Sequence, residues 1–159
     1  MRPGIRLGVD VGKARIGIAR CDPSGFLATP VETVPRSHRE ATLDVQRIVA
    51  LADEYEAIEL VVGLPLGLSG RETPSTGDAR SFAERLAAAQ LRPVRLVDER
   101  LSTVTAQGAL HGAGKRVKES RSVIDQAAAV VILQHALDSE RAQGSPPGTL
   151  ASAGDEPLS

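Results

Sequence analysis

Three acidic positions stand where an apolar segment ends or is interrupted. Asp10 follows the stretch IRLGV, the pair Asp98 and Glu99 follows VRLV, and Asp125 lies within SVIDQAAAVVIL. A carboxylate in such a place is costly unless it is paired, so each is a candidate site residue. If the fold brings three carboxylates together, divalent cations with oxygen ligands relieve their repulsion, and Mg²⁺ or Mn²⁺ is the natural candidate. Two such ions activate a water and stabilise the leaving oxygen in phosphodiester hydrolysis.

Structural roles are the alternative for these acidic residues. Asp98 and Glu99 would be ordinary polar residues at a strand end, and alternation places their side chains on opposite sides without choosing between them. Asp125 would fall at the third position of a helix capped by Ser122, where a carboxylate also interacts favourably with the helix dipole. The small apolar residues one turn later would lie close against a sheet, so a cap and a site role are compatible.

Basic residues lie beside the acidic positions in sequence. Lys13 and Arg15 follow Asp10, and Arg100 follows Glu99. The segment HGAGKRVKESR precedes Asp125 and carries the other candidates, which are Lys115, Arg116, Lys118 and Arg121. Such side chains can neutralise phosphates without reading base sequence, and we interpret them as nucleic-acid-binding residues. For the charged segment, a solvated surface loop is the alternative.

Other chemistries find little support in the sequence. The stretch LGVDVGKARIGI does not match a phosphate-binding loop, since only three residues separate Gly8 from Gly12 and an alanine follows Lys13. The single Cys21 cannot form an internal disulfide, which fits a reducing compartment. The net charge is −1, so any attraction to nucleic acid must come from local patches.

The elements that would position these residues alternate in a regular order. Ile5 to Asp10, ARIGIARC and residues 26–34 predict an antiparallel meander of three strands. The later strands IELVVG and VRLVD each follow a segment with helical periodicity, and GLPLGLSGRETPSTGD reads as the loop that joins IELVVG to the helix before VRLVD. A short helix from Ser102 and a long one from Ser122 to Glu140 complete the order βββαβαβαα. This order predicts an α/β fold with a mixed five-stranded sheet flanked by helices.

Length and composition indicate one globular domain. The chain has 159 residues, of which 42% are hydrophobic and 25% charged, as in average globular proteins. No apolar run is long enough to span a bilayer and the N-terminus lacks a signal-like segment, so we expect a cytoplasmic protein without a membrane partner. We expect residues 1–141 to form the folded domain. Residues 142–159 are rich in Pro and Gly, and we expect them to be a disordered tail.

Four motifs stand in order between residues 5 and 140, and they are DVGKARIGIA, VVGLPLGLSG, VDERLST and IDQAAAVVILQ. Together they resemble the YqgF/RuvX family, which is similar to Holliday junction resolvases of the RuvC type. The resemblance implies a ribonuclease H-like nuclease domain over residues 1–141. It also implies that Asp10, Glu99 and Asp125 are the catalytic residues and metal ligands. The preference for Glu99 over Asp98 rests on the resemblance alone.

The resemblance implies a metal-dependent endonuclease that matures the 5′ end of pre-16S ribosomal RNA in ribosome biogenesis. Its partners would be structured RNA and pre-ribosomal particles. One alternative is a Holliday junction resolvase acting on branched, four-way DNA in recombination or repair, which needs a symmetric dimer presenting two sites. Another is a nucleic-acid-binding protein without enzymatic activity, although three clustered carboxylates would repel phosphates. The choice between RNA and DNA stays open because no residue is a diagnostic reader of the 2′-hydroxyl. The sequence is compatible with a monomer and with a homodimer.

Overall fold

The sheet is mixed and has six strands within the residues that a computed structural model describes, which are 1–37, 42–102 and 121–152. Strands β1 to β6 span Arg6–Val11, Arg15–Cys21, Ala28–Pro35, Glu59–Leu64, Val94–Asp98 and Thr149–Leu150. Their spatial order is β3-β2-β1-β4-β5-β6. The first three strands form the antiparallel meander, β4 and β5 continue the sheet parallel to β1, and β6 is antiparallel to β5. The predicted α/β fold with a mixed sheet is confirmed.

Helices flank the sheet on both faces. Helices α1, α2 and α3 span Leu43–Glu54, Pro74–Ala89 and Arg121–Gln143, and a 3₁₀ turn at Glu99–Ser102 follows β5. Apolar residues of α1 and α2 share one buried cluster with the sheet, and apolar residues of α3 share another. Among the described helices, none is long and apolar enough to cross a membrane.

Side chains alternate along each strand between the two faces of the sheet, and each face packs against one of these two apolar clusters. Leu7 and Val9 of β1 lie in the core formed with α1 and α2. Gly8 faces α3 instead, where an added Cβ would lie 2.9 Å from the carbonyl oxygen of Ala129. The glycine therefore lets α3 lie close against β1. Asp10, two residues after Gly8, shares the face that α3 covers.

The loop predicted after β4 ends earlier than expected. The Pro, Ser and Gly content of residues 74–78 predicts a loop, but α2 begins at Pro74. Thr73 is its N-cap, and Thr73 and Thr76 exchange reciprocal side-chain to backbone hydrogen bonds. Proline is favoured at the first helical position because its fixed φ suits the helix and its missing N–H has no partner there.

The predicted disorder of the C-terminal tail is wrong for residues 142–152, and β6 makes the sheet six-stranded rather than five-stranded. Helix α3 continues to Gln143, and Gly144 and Gly148 then take positive φ angles of 76° and 65°, which let the chain turn back. The backbone N–H of Ala151 donates to the Val94 carbonyl at 2.8 Å. Composition predicted disorder because it does not reveal that these glycines make turns. Residues 153–159 lie outside the described part of the chain.

Candidate active site

The sheet brings two of the predicted acidic residues to one edge. Asp10 is the second-last residue of β1, which pairs in parallel with β4, and Glu99 directly follows β5, which also pairs in parallel with β4. The carboxyl ends of parallel strands meet at the same edge of a sheet. Asp10 and Glu99 therefore lie at that edge, on either side of the end of β4.

Asp125 comes to the same edge from α3. It lies in the second turn of this helix, because α3 begins at Arg121. The predicted N-cap, Ser122, is thus inside the helix, and the capping interpretation of Asp125 is wrong. Gly17, which pairs with Asp10 between β1 and β2, allows the close approach: a Cβ at this position would collide with the backbone carbonyl of Asp125.

The structure separates Glu99 from its neighbour Asp98. An added Cβ on Gly63, near the end of β4, would lie 2.6 Å from Glu99 Oε2 and 2.6 Å from Ile132 Cδ1 of α3. The Glu99 carboxylate therefore lies over Gly63, on the face that α3 covers. Asp98 is held by Arg100, whose Nη2 donates to its Oδ2 at 2.6 Å. Of the two candidates, Glu99 is the one placed beside Asp10.

Burial and mutual repulsion raise the pKa values of two of these carboxyl groups. The pKa of Asp10 rises to about 6, mainly through burial and further through the charge of Asp125. The pKa of Glu99 rises to about 7, again mainly through burial, with added repulsion from Asp10 and Asp98. Burial and the neighbouring carboxylates both disfavour the ionised forms of Asp10 and Glu99, and a bound cation would favour them.

One cationic side chain already contacts the site. The Nε of Arg15, at the start of β2, donates to Asp125 Oδ2 at 2.9 Å. Alternation along β2 places Arg15 on the same face as Gly17, which explains why it reaches α3. The pair is partly open to solvent, with 35% of the Arg15 side chain and 22% of the Asp125 side chain exposed.

The acidic residues have the right chemistry to bind a divalent cation, but Asp125 would first have to leave its ion pair with Arg15. Carboxylate oxygens are the ligands that Mg²⁺ and Mn²⁺ prefer, and Asp10, Glu99 and Asp125 supply them. Within residues 1–37, 42–102 and 121–152, no three His, Cys, Asp or Glu side chains stand ready as a metal-binding group. Asp125 is directed to Arg15 in this arrangement, so it would have to leave that partner to join the other two.

The structure describes four of the seven predicted nucleic-acid-binding residues. Lys13 is exposed on the β1–β2 turn beside Asp10, and Arg15 and Arg100 are paired with acidic residues as described. Arg121 is the first residue of α3. The remaining three, Lys115, Arg116 and Lys118, lie outside the described residues, and their role stays a prediction.

Comparison with known proteins decides the family. The model of the family described as "RuvX: Holliday junction resolvase" matches residues 4–139. This chain belongs to the RuvX family. A relative from Clavibacter michiganensis subsp. michiganensis, described as "putative pre-16S rRNA nuclease", is 65% identical over 150 residues, which cover 94% of this chain and 92% of the relative. A relative from Streptomyces coelicolor with the same description is 57% identical over 93% of this chain and 88% of its own length.

A solved structure supports the fold of this RuvX chain. The RuvC of T. thermophilus in complex with a Holliday junction substrate superposes with a TM-score of 0.60 at 17% identity, over 91% of this chain and 99% of that chain. A likeness at this identity shows the fold alone. It shows that the expected ribonuclease H-like fold is correct.

Sequence reasoning missed an arginine of this RuvX chain that holds the turn next to Asp10 in place. Arg36, just after β3, donates from Nη1 to the Gly12 carbonyl at 2.7 Å and to Asp78 Oδ2 at 2.8 Å. It therefore ties the β1–β2 turn, which carries Lys13, to α2. Its sequence context, VPRSHRE, contains no motif, and only the three-dimensional arrangement reveals the role.

Proposed function

We propose that this protein is a metal-dependent endonuclease that hydrolyses phosphodiester bonds and matures the 5′ end of pre-16S ribosomal RNA. One observation carries the proposal: Asp10 and Glu99 lie at one sheet edge that Asp125 of α3 also approaches, and burial and repulsion raise the pKa values of the first two. Relatives more than 50% identical over nearly the whole chain, each described as a "putative pre-16S rRNA nuclease", support the choice of substrate. We further propose that it acts in the cytoplasm on pre-ribosomal particles.

The residues of the site would divide the work of hydrolysis. Asp10, Glu99 and Asp125 would hold Mg²⁺ or Mn²⁺, which lowers the pKa of the attacking water and stabilises charge on the leaving oxygen. Exposed Lys13 would contact the phosphate backbone beside Asp10. Arg100, kept in place by Asp98, would contribute positive charge on the Glu99 side. Lys115, Arg116, Lys118 and Arg121 are proposed to extend this phosphate-binding surface.

The test is cleavage by purified full-length protein of a precursor RNA that carries the 5′ extension of 16S ribosomal RNA. We expect Mg²⁺-dependent cleavage that a chelator abolishes and that the Asp10→Asn protein lacks. Cleavage that persists in the chelator, or equally in Asp10→Asn, would contradict the proposed metal site. Binding of the RNA without cleavage under any metal condition would favour a binding protein instead.

A second candidate function is resolution of four-way DNA junctions, which the description of the matching family model favours. Paired, symmetric cuts on a junction need two sites in one dimer, whereas cleavage of a single RNA strand needs one site. The same preparation should therefore be tested on a four-way DNA junction, with its oligomeric state measured by light scattering. Symmetric cleavage of the junction by a dimer, without cleavage of the precursor RNA, would replace the first proposal by the second.

A further inference from the structure

The ion pair between Arg15 and Asp125 places a fixed positive charge inside the candidate metal site. An arginine guanidinium is a permanent cation with several N–H donors and no acceptor. A cation that binds Asp125 must therefore compete with a guanidinium whose Nε lies 2.9 Å from one carboxylate oxygen. The ion pair therefore keeps Asp125 from acting as a ligand of the proposed metal ion.

The arrangement lets the Arg15 side chain leave while its backbone stays in place. The Arg15 carbonyl accepts a hydrogen bond from the Gly12 N–H at 2.9 Å, and Arg15 pairs with Pro35 in the β2–β3 ladder. With about a third of its surface exposed, the side chain can turn into solvent without becoming buried elsewhere. A partly exposed ion pair contributes little to stability, so breaking it costs about 1 kcal/mol or less.

We propose that Arg15 is a positioning residue that acts as an exchangeable counter-ion of Asp125. Its guanidinium holds the carboxylate until a divalent cation takes over Asp125, and it then turns to a phosphate of the nucleic acid. The inference rests on the proposed metal-dependent function and adds a coupling between the binding of the cation and the binding of the substrate. The cation binds Asp125 and the phosphate binds Arg15, and either event breaks the ion pair. Each ligand therefore favours the binding of the other.

Removal of the Arg15 charge should change the two affinities in opposite directions. Without the guanidinium, Asp125 is available and one repulsive charge near the cation is gone, so cation binding becomes tighter. Binding of nucleic acid becomes weaker, because one phosphate contact is lost. A purely structural ion pair predicts neither change, since its loss would only lower stability.

The experiment measures Mn²⁺ affinity of the full-length protein without nucleic acid, from the electron paramagnetic resonance signal of free Mn²⁺. Arg15→Gln should bind Mn²⁺ at least about fivefold more tightly than wild type. Arg15→Lys keeps the charge and should stay within about twofold of wild type. Arg47→Gln is the matched control: Arg47 of α1 pairs with Glu32 of β3 at 2.7 Å on the molecular surface, on the side of the sheet opposite α3, and its loss should leave Mn²⁺ affinity unchanged.

A second measurement follows binding of the precursor RNA by stopped flow in the presence of Mn²⁺, before cleavage has progressed. Arg15→Gln should reduce the slope of log affinity against log salt by about one, and Arg47→Gln should not. Equal or weaker Mn²⁺ binding by folded Arg15→Gln, with wild type binding Mn²⁺, overturns this inference and leaves the nuclease proposal standing. Failure of wild type and all variants to bind Mn²⁺ overturns the metal site itself, and the inference with it.

Discussion

Asp98 and Glu99 are neighbours in sequence with opposite surroundings, and this contrast gives a sharp test of the acidic site. Asp98 is paired with Arg100, which lowers its pKa, whereas burial and nearby carboxylates raise the pKa of Glu99. Asp10→Asn, Glu99→Gln and Asp125→Asn should each abolish metal-dependent cleavage. Asp98→Asn, the matched control, should retain most of it. Cleavage rates and melting temperatures of the four proteins provide the check.

Stability separates this prediction from a structural role. Replacing Asp10 or Glu99 by its amide removes repulsion between partly buried carboxylates, so the melting temperature should stay the same or rise. Near-normal cleavage by Glu99→Gln, together with loss of cleavage in Asp98→Asn, would show that the assignment of these two residues is reversed.

Part of the candidate site can be predicted from the sequence alone. The rest depends on how closely α3 packs against the sheet. Asp10 and Asp125 stand out because each interrupts an apolar segment. Glu99 could not be chosen over Asp98, because alternation gives opposite sides and the sequence does not say which side α3 covers. Gly63 carries that information, since its missing side chain leaves the space that Glu99 occupies. Within VVGLPL it reads only as part of a buried strand.

Gly63→Ala should therefore damage activity more than stability. The added Cβ would lie within 3 Å of side-chain atoms of Glu99 and Ile132, and no backbone atom is among the three nearest to it, so the Glu99 side chain would be displaced while the strand stays in place. We expect a melting temperature within a few degrees of wild type and a loss of cleavage of at least about tenfold, because displacement of a reacting group by an ångström is costly. Gly77→Ala in α2 is the control, since no atom lies within 4 Å of its added Cβ. A fully active Gly63→Ala would show that the position of Glu99 is not critical.

At the level of elements, Arg36 links the β1–β2 turn to both helices of the larger core. Its guanidinium contacts Asp78 of α2 and lies 3.6 Å from Asp44 of α1, whose side chain is only 1% exposed. Arg36→Ala would leave Asp44 without this partner in a buried position, so we expect a loss of about 3 kcal/mol in the free energy of unfolding. Urea denaturation measures this loss.

The comparison for this prediction is Arg47→Ala. Arg47 pairs with Glu32 at the surface, where such pairs contribute about 0.2–1 kcal/mol. Equal losses for the two variants would mean that Arg36 acts as an ordinary surface charge.

Sequence reasoning was less accurate for the start of one helix than for the elements as a whole. Periodicity predicted the main strands and helices. The start of α2 depends on the Thr73 cap and on Pro74, and composition alone predicts a loop there.

At the level of the whole molecule, the C-terminal segment completes the sheet. Besides the bond of Ala151 to Val94, the Arg95 side chain donates to the Pro147 carbonyl at 3.5 Å. A chain that ends at Gln143 would expose the edge of β5, so its melting temperature should fall by several degrees, at about 2–4 °C per kcal/mol. A chain that ends at Ser152 keeps β6 and is the matched control. Unchanged melting of the shorter chain would show that β6 contributes no stability.

A buried charge cluster at the end of the sheet opposite the acidic site ties the N-terminus to the end of α3. Glu140 of α3 accepts hydrogen bonds from Arg2 and from Arg6, with only 1% of the Arg6 side chain and 3% of the Glu140 side chain exposed. The bond from Arg2 is the main reason why the pKa of Glu140 falls to about 2 from its ordinary value of 4.5. Stability gained from this carboxylate should therefore depend on pH.

The direction of this dependence follows from proton uptake. Above pH 4.5 the carboxylate is ionised in both states, and the folded protein has the full benefit of its pairing. As the pH falls, the unfolded chain takes up the proton first, so the benefit, at most about 3 kcal/mol, is lost progressively towards pH 2. We expect Glu140→Gln to be less stable than wild type at pH 7, with about 2 kcal/mol of that difference gone at pH 3. Urea denaturation of both proteins at several pH values measures it, and subtracting one curve from the other removes the contribution of the other carboxylates. A difference that is the same at pH 7 and pH 3 would mean that Glu140 binds protons equally in the folded and unfolded chain, and that the cluster holds the N-terminus by packing rather than by charge.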